Sequence, residues 1–348
     1  LLRVAPMMMP ELVDEWFENE LLRSAVSTSG IHHLSFGPFA AATGYNLLHQ
    51  HLYSKGVFHN GQTVNGGTVN LANALKTAAE FHHVEVQTNS KVTSIDTDNS
   101  ICTGVTLYNG KSVKAKTVVS GLDPQNTFIN LVGAPSLNPN FHTQLRNIKY
   151  RGSAARIHFA LESLPEINGV SADQMGTVFS ICPTIEYLER AADSVKYGRL
   201  PDSPYMEFTI PSVVNPDFAP NGKHVLSATI QNAPYTMRDQ YWSEDLKNQL
   251  KQNVIQVLEN YLPGISSKIE VSSLLTPVDM EDQFNLTEGN LNHGEMTLDQ
   301  FMFMRPTITT AQYKTPIKNL YLCGPGTHPG GGLHGTNGFN AAQEILKG

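Results

Sequence analysis

The sequence predicts a protein that combines α/β and α+β architecture, and three observations support this. Near its C-terminal end, an apolar segment at 319–324 precedes a glycine-rich run and a helical pattern at 336–346, an order typical of α/β domains. Asn109-Gly110 lies between two alternating segments and predicts a β-hairpin, because both residues tolerate positive φ. Strand candidates separated by proline-rich loops between 156 and 231 predict an antiparallel or mixed sheet accompanied by helices.

The first 120 residues predict helices followed by a β-meander. Pro10 is placed to open a helix, the stretch 27–43 is rich in Gly, Ser and Pro and predicts a loop, and a second helix is expected near 45–54. Thr68 is a candidate N-cap for a helix that reaches about residue 80 with one apolar face. The strand candidates that follow are 84–86, 91–95, 102–108, 112–115 and 116–120.

The middle of the chain predicts a separate α+β lobe. Its strand candidates are 156–161, 177–181, 205–210 and 224–231. Ser243 caps the clearest helix of the chain, whose apolar residues recur at helical spacing, and Pro263-Gly264 marks its end. The last strand and helix, after residue 315, are expected to pack elsewhere.

Composition restricts the class of protein. The 348 residues are enough for two domains, and 40% apolar with 16% charged residues is ordinary for a globular protein. The formal net charge is −7 and there is no run of Lys and Arg, so nucleic acid is not an expected partner.

Cysteine use and hydropathy predict an intracellular protein. Cys102, Cys182 and Cys323 are odd in number and far apart, which favours a reducing compartment, cytoplasmic or mitochondrial. No uninterrupted stretch of 18 apolar residues is present, so a membrane-spanning helix is not expected. Peripheral contact with a membrane surface stays an open alternative. The first ten residues do not resemble a signal peptide and suggest the interior of a longer protein.

Several motifs are better explained by local structure. Gly330–Gly335 matches GxGxxG, but too few residues follow it for a complete dinucleotide-binding unit. Gly104–Ser112 resembles a Walker loop with the wrong spacing and is better explained by the hairpin. No GxSxG motif is present, which argues against the usual hydrolase site. The paired histidines at 32–33, 49 and 51, 82–83, and 328 and 334 lack acidic or cysteine partners at ligand spacing, so no metal is expected.

Two segments carry the functional interpretation. In the glycine run, Gly324–Gly335, eight of twelve residues are glycine or proline, more than a simple connection requires, so we expect its backbone to face a ligand. Phe301–Met304 predicts either core or the wall of a tunnel for an apolar substrate.

The segment Leu320-Tyr-Leu-Cys-Gly-Pro-Gly-Thr-His-Pro-Gly-Gly-Gly332 resembles the C-terminal flavin motif of the phytoene desaturase-like FAD-dependent oxidoreductases, in the branch of pyridine nucleotide-disulphide oxidoreductase domain protein 2. The resemblance covers nearly the whole chain. Further matches in family order are Gly66-Gly67, Val92-x-x-Ile95, Asn109-Gly110, Asp123-Pro124, Thr276-Pro277 and Arg305-Pro306.

The resemblance implies a discontinuous, Rossmann-like FAD-binding domain at 61–124 and 316–348, with substrate-domain segments at 1–60 and 125–315. It implies FAD as the cofactor, an apolar small-molecule substrate, and hydride transfer from a substrate carbon to the flavin. The cofactor-binding residues that it implies are Val92, Gly324, Pro325, Gly326, Thr327, Gly331, Gly332, Leu333, His334 and Gly335. His328, His334 and Arg305 are the candidate catalytic residues, although each is equally compatible with a structural role.

The sequence also departs from this family. Such proteins open with a strand, a GxGxxG turn and a helix that bind the pyrophosphate, and residues 1–348 contain no counterpart. We therefore expect an incomplete FAD domain, weak or absent FAD binding by these residues alone, and an N-terminal FAD-binding segment as the missing partner. The alternatives are a flavin-containing binding protein without turnover and an amine-oxidase-like enzyme. Nothing in the sequence indicates the oligomeric state.

Overall fold

The structure is a computed structural model that describes residues 3–51, 64–171 and 174–347. It divides into two compact units. Unit 1 consists of Leu1–Val86 and Ser153–Asp279, and unit 2 consists of Gln87–Gly152 and Met280–Gly348. The units divide the chain at other positions than the expected domains, because 64–86 belongs to unit 1 and both 125–152 and 280–315 belong to unit 2. The expected boundary at 60/61 lies outside the described residues, and the functional assignment of the segments stays a prediction.

Mixed α and β architecture, as predicted, is present. The α-helices are α1 (Met9–Asp14), α2 (Glu20–Ile31), α3 (Thr43–Gln50), α4 (Thr68–Phe81), α5 (Pro139–Arg146), α6 (Ile185–Lys196), α7 (Pro211–Val214), α8 (Glu244–Glu259), α9 (Ile265–Lys268), α10 (Pro277–Phe284) and α11 (Thr336–Leu346). The strands are β1 (Val92–Asp98), β2 (Ile101–Leu107), β3 (Ser112–Lys114), β4 (Val118–Ser120), β5 (Ala155–Leu161), β6 (Phe179–Ile181), β7 (Met206–Thr209), β8 (His224–Ile230), β9 (Ile269–Leu275) and β10 (Leu320–Leu322). None of the helices in the described part of the chain is long and apolar enough to cross a membrane.

Unit 1 contains a five-stranded antiparallel sheet in the order β6-β7-β8-β5-β9. Alternate residues of β5 are fully buried, and the apolar side of α8 contributes to the same core. Ser243 caps α8 as predicted, because its hydroxyl accepts a hydrogen bond from Leu246 N at 3.3 Å. The sheet and this helix therefore confirm the α+β lobe.

The predicted loop at 27–43 is wrong over its first residues, because α2 continues to Ile31. The small polar side chains of this helix are buried, and the hydroxyl of Ser27 donates to the carbonyl of Arg23 at 2.8 Å. Gly30 packs so closely on Met9 that a larger side chain would overlap with it. Glycine and serine thus permit close helix packing here. The helix predicted at 45–54 corresponds to α3, and residues 52–54 lie outside the described residues.

Two expectations for 64–86 are wrong. Gly67, with φ +82°, is the N-cap of α4, so Thr68 is the first helical residue. The segment 84–86 is not a strand, because no strand in the described part of unit 1 pairs with it. None of the residues of α4 is buried, and Leu75 and Phe81 are 64% and 79% exposed.

Unit 2 contains the predicted meander, β1-β2-β3, and a separate parallel pair, β4 with β10. Gly110, with φ +81°, forms the turn of the predicted hairpin and donates from its N–H to the carbonyl of Leu107 at 2.8 Å. In the parallel pair, Leu320 lies opposite Val118 and Leu322 opposite Ser120. Leu320 and Leu322 are buried in the unit 2 core, so the expected strand is confirmed and α11 follows it.

Candidate functional site

The glycine run begins where β10 ends, and several of its glycines, as far as Gly331, pack tightly within unit 2. A Cβ at position 324 would overlap with the carbonyl of Gly121, and one at 326 would lie 3.0 Å from Cδ of Pro124. A Cβ at 331 would overlap with the side chain of Asn292. Close packing is therefore sufficient to explain glycine at these positions, whether or not a ligand also approaches them.

The last four residues of the run, 332–335, are its more open part. Gly335 has φ +68°, and a Cβ there would meet nothing within 4 Å. Leu333 is 92% exposed, and Gly335 is the N-cap of the eleven-residue α11. The first N–H groups of a helix have no intrahelical acceptors and carry a partial positive charge. The accessible part of the run thus lies at a helix N-terminus, where an anionic or electron-rich oxygen is favoured.

Asn337, in the first turn of α11, holds the first half of the run in place. Its buried Nδ2 lies 3.2 Å from the carbonyl oxygen of Gly324 and 3.0 Å from that of Thr327. Thr327 is also buried, and its hydroxyl donates to the carbonyl of Gly324 at 2.9 Å. Asn337 is not among the site residues predicted from the sequence; its only signal is an asparagine in the first turn of a helix that follows a glycine loop.

His334 makes local contacts through both ring nitrogens. Its Nδ1 accepts from Thr336 N at 3.1 Å, which leaves Nε2 as the protonated nitrogen that donates to the carbonyl of Gly331 at 3.3 Å. The ring therefore links the two ends of the short loop that leads into α11. These contacts are sufficient to explain His334 structurally, and its cofactor-binding and catalytic roles stay predictions.

Arg305 is 1% exposed and binds backbone carbonyls. The guanidinium donates to Pro325 in the glycine run at 3.0 Å from Nη2, to Gly294 at 3.1 Å and to Asn292. Longer contacts join Nη1 to the carbonyls of Gln300 and Glu295. Burial lowers the pKa of Arg305 to about 10, so the side chain is still a cation at neutral pH. Arg305 thus fixes the glycine run to the segment 292–300, and its catalytic role stays a prediction.

A buried polar cluster surrounds these contacts. Asp123 is 1% exposed and accepts from Asn126 N at 2.9 Å and from the Thr287 hydroxyl at 2.9 Å. Burial, and then the charge of Asp123, raise the pKa of Tyr150 far above its ordinary value, and the Tyr150 hydroxyl accepts from Gln125 N at 3.0 Å. Tyr150, Asn292 and His293 are not among the site residues predicted from the sequence.

The remaining predicted residues have different environments. Val92 is half-buried in β1, opposite Leu107. The side chain of His328 is exposed, its pKa is lowered by partial burial and by Arg305, and its carbonyl accepts from the Tyr313 hydroxyl at 2.8 Å. Among residues 3–51, 64–171 and 174–347, no three His, Cys, Asp or Glu side chains form a group that would hold a metal ion.

The residues present fit a flavin in two respects. The open helix N-terminus at Gly335 suits the electron-rich pyrimidine edge of a flavin or a phosphate oxygen. Within the described residues of unit 2, Asn292 Nδ2 and His293 Nδ1 are buried next to the run without a hydrogen-bond partner. Backbone approach and unpaired polar atoms are both expected at a site for a ligand rich in hydrogen-bonding groups.

Comparisons with known proteins agree with this geometry. The family described as flavin containing amine oxidoreductase matches residues 28–346. The pyridine nucleotide-disulfide oxidoreductase domain-containing protein 2 of Rattus norvegicus is 31% identical over 97% of this chain and 60% of its own length. The phytoene desaturase (lycopene-forming) of a Paracoccus species is 27% identical over 94% of this chain and 62% of its own length. The chain thus spans about three-fifths of the length of the curated relatives that it matches.

A solved oxidoreductase from Methanosarcina mazei has the same fold, with a TM-score of 0.62 at 14% identity, over 98% of this chain and 68% of that chain. The fold class and the resemblance expected from the glycine run are therefore confirmed. Since the family match covers residues 28–346, from within α2 to the last helix, the chain belongs to the flavin-containing amine oxidoreductase family.

Proposed function

We propose that this chain is part of an FAD-dependent oxidoreductase of the dehydrogenase or desaturase type. The observation that carries the proposal is the glycine run between β10 and α11, whose glycines pack tightly as far as Gly331 and whose end is open at a helix N-terminus. The family match supports a flavin, and the relatives named as phytoene desaturases support a desaturase reaction. FAD as the specific flavin rests on the resemblance.

When bound, the flavin accepts a hydride, and hence two electrons, from a substrate carbon. The residues of this chain would hold and orient it: the backbone at 324–327 would approach the ribityl and pyrophosphate, and 333–335 would lie near the pyrimidine ring. The N-terminus of α11 would favour negative charge on that ring. Asn337 and Arg305 keep the run in position through the carbonyls of Gly324 and Pro325.

An apolar substrate is the proposed small-molecule partner. Phe301 is buried, but Phe303 and Ile308 are 68% and 75% exposed in the same segment of unit 2. Ile308 also lines a groove of about 290 Å³, together with Ile148, Met304 and Pro306 and with the polar residues Gln144, Asn147, Asp299, Gln300 and Thr307. This segment supports both interpretations of 301–304, since one phenylalanine is core and the other is free to contact an apolar molecule.

Amine oxidation is the second candidate, because the description of the matched family names amine oxidoreductases. The third is a flavin-containing binding protein without turnover. The glycine run favours the first candidate over amine oxidation, because an amine-oxidase-like site is expected to place aromatic side chains before the flavin, and 324–335 contain none.

The experiment starts from the protein that contains this chain, purified with its flavin and kept without oxygen. We expect phytoene or another apolar polyene to bleach the flavin absorbance, and a primary amine such as putrescine to leave it unchanged. Bleaching by the amine alone would establish amine oxidation instead. A flavin that neither an apolar compound, nor a lipid extract, nor an amine reduces would contradict oxidoreductase function.

Residues 1–348 alone are expected to bind FAD weakly or not at all. Flavin absorbance after addition of FAD and gel filtration measures this, and stoichiometric retention would refute it.

A further inference from the structure

The loop Asn290–Gly294 of unit 2 is held rigidly against the glycine run. The Asn290 side chain accepts from Asn292 N at 2.9 Å and from Gly294 N at 3.1 Å, and it donates to the carbonyl of Tyr150 at 2.5 Å. Arg305 binds the carbonyls of Asn292 and Gly294 from within the unit. These hydrogen bonds fix the backbone of the loop, and therefore the direction in which its side chains project.

Two side chains of the loop lie on glycines of the run. Nδ1 of His293 is 3.3 Å from the position that a Cβ of residue 324 would occupy. The side chain of Asn292, which is 7% exposed, fills the position of a Cβ at residue 331. The glycines thus bring the backbone of the run directly onto a polar pair.

Both side chains have hydrogen-bonding atoms that the fold leaves unused. In the described residues, Nδ2 of Asn292 and Nδ1 of His293 are buried without a partner. Folded proteins pair nearly all such atoms, because a buried unpaired donor or acceptor costs its full desolvation energy. Two such side chains, which lie against the glycines at 324 and 331, therefore point to a ligand that supplies the missing partners.

We propose that Asn292 and His293 are cofactor-binding residues that hydrogen-bond the oxygen-rich arm of the flavin, its ribityl hydroxyls and phosphates. This rests on the proposed function. Asn292 donates from Nδ2 to an oxygen, and His293 donates or accepts at Nδ1, which a hydroxyl can match in either sense. Because the facing residues are glycines, the run places no side chain of its own over this pair at positions 324 and 331.

The pKa of His293 supports this assignment. Burial lowers it, the charge of Asp123 opposes that shift, and Arg305 lowers it further. The ring is therefore neutral at pH 7, so one nitrogen donates and the other accepts. A neutral ring also avoids placing a second cation next to Arg305.

The test uses the flavin-containing protein and the variants Asn292→Ala and His293→Ala, with Leu291→Ala in the same loop as the control because that side chain is 37% exposed. We expect each of the two variants to weaken FAD binding about tenfold, the usual effect of one lost hydrogen bond. Lumiflavin lacks the ribityl and phosphate groups, so its affinity should not change. The flavin-free variants should unfold at the same denaturant concentration as the parent or at a higher one.

Three outcomes would overturn the proposal. Unchanged FAD affinity in both variants would show that buried water alone satisfies the two side chains. Equal losses for FAD and lumiflavin would place the contact elsewhere on the flavin. Clear destabilisation of the flavin-free variants relative to Leu291→Ala would make the pair structural. Failure of the proposed function looks different, because the parent protein would then bind flavin that no apolar substrate reduces.

Discussion

Replacing Arg305 with methionine should destabilise unit 2 more than any surface substitution. The change leaves the carbonyls of Asn292, Gly294 and Pro325 without their donor, in a site where the arginine is 1% exposed. A hydrogen bond to a charged group contributes about 1.5–3 kcal/mol, but removal of the buried cation recovers part of that as relieved desolvation. With about 1–1.5 kcal/mol lost at each of three carbonyls, we expect the free energy of unfolding to fall by about 4 kcal/mol.

The assay must observe unit 2 directly. Both tryptophans, Trp16 and Trp242, belong to unit 1, so their fluorescence would miss the change. Hydrogen exchange in peptides that cover 290–330, measured across a urea series, gives the local stability. Arg146→Met, at the exposed end of α5, is the control. Arg305→Lys retains the charge but cannot span the same carbonyls, so it should recover only a small part of the loss. A loss within about 0.5 kcal/mol of the control would refute the carbonyl contacts as the role of Arg305.

Three further predictions concern single positions. Since the pKa of His293 is lowered on folding, the unfolded chain binds a proton first, so unit 2 should lose stability as pH falls below about 6.5. His293→Asn should make the stability of unit 2, measured by hydrogen exchange at pH 5–7, depend less on pH. The control is His142→Asn, and an equal pH dependence in the two variants would contradict His293 as the titrating group. Gly324→Ala should cost about 2–3 kcal/mol through overlap with Gly121, whereas Gly338→Ala, in open space on α11, should gain about 0.5–1 kcal/mol; urea unfolding distinguishes the two. Ser243→Ala should cost about 1 kcal/mol by loss of the α8 cap, seen in Trp242 fluorescence, and no loss would show that solvent replaces the cap.

Elements with strong local signals were predictable from the sequence. The hairpin at Asn109-Gly110, the capped helix α8 and the order of β10, glycine run and α11 each follow from a turn residue, a cap or a hydrophobic period. The miss at α2 has a physical cause, since glycine and serine signal a loop when isolated but serve close packing when Met9 lies against Gly30. The apolar segment 84–86 failed as a strand because a strand needs a neighbour, which periodicity does not supply.

The site was predictable in outline only. The glycine run is visible in the sequence, but the residues that contact it come from 121–124, 292–313 and 337, and the fold alone brings these together. Nothing in the sequence indicates that a single asparagine or histidine in a loop will be buried without a hydrogen-bond partner. Conversely, the sequence suggests His334 and Arg305 as catalytic candidates, and the structure accounts for both through contacts with the backbone.

The parallel pairing of β4 with β10 also sets the order in which the chain can fold. About 200 residues separate the two strands, and most of unit 1, including the whole of its sheet, is encoded between them. At roughly 5–20 residues per second, β4 waits on the order of 10–40 s during translation before its partner is synthesised. The edge of β4 that pairs with β10 stays unpaired for that time, while the segment 153–279 can already collapse around its own antiparallel sheet. We therefore expect β4, rather than the unit 1 core, to be the segment of the nascent chain that most needs protection from aggregation.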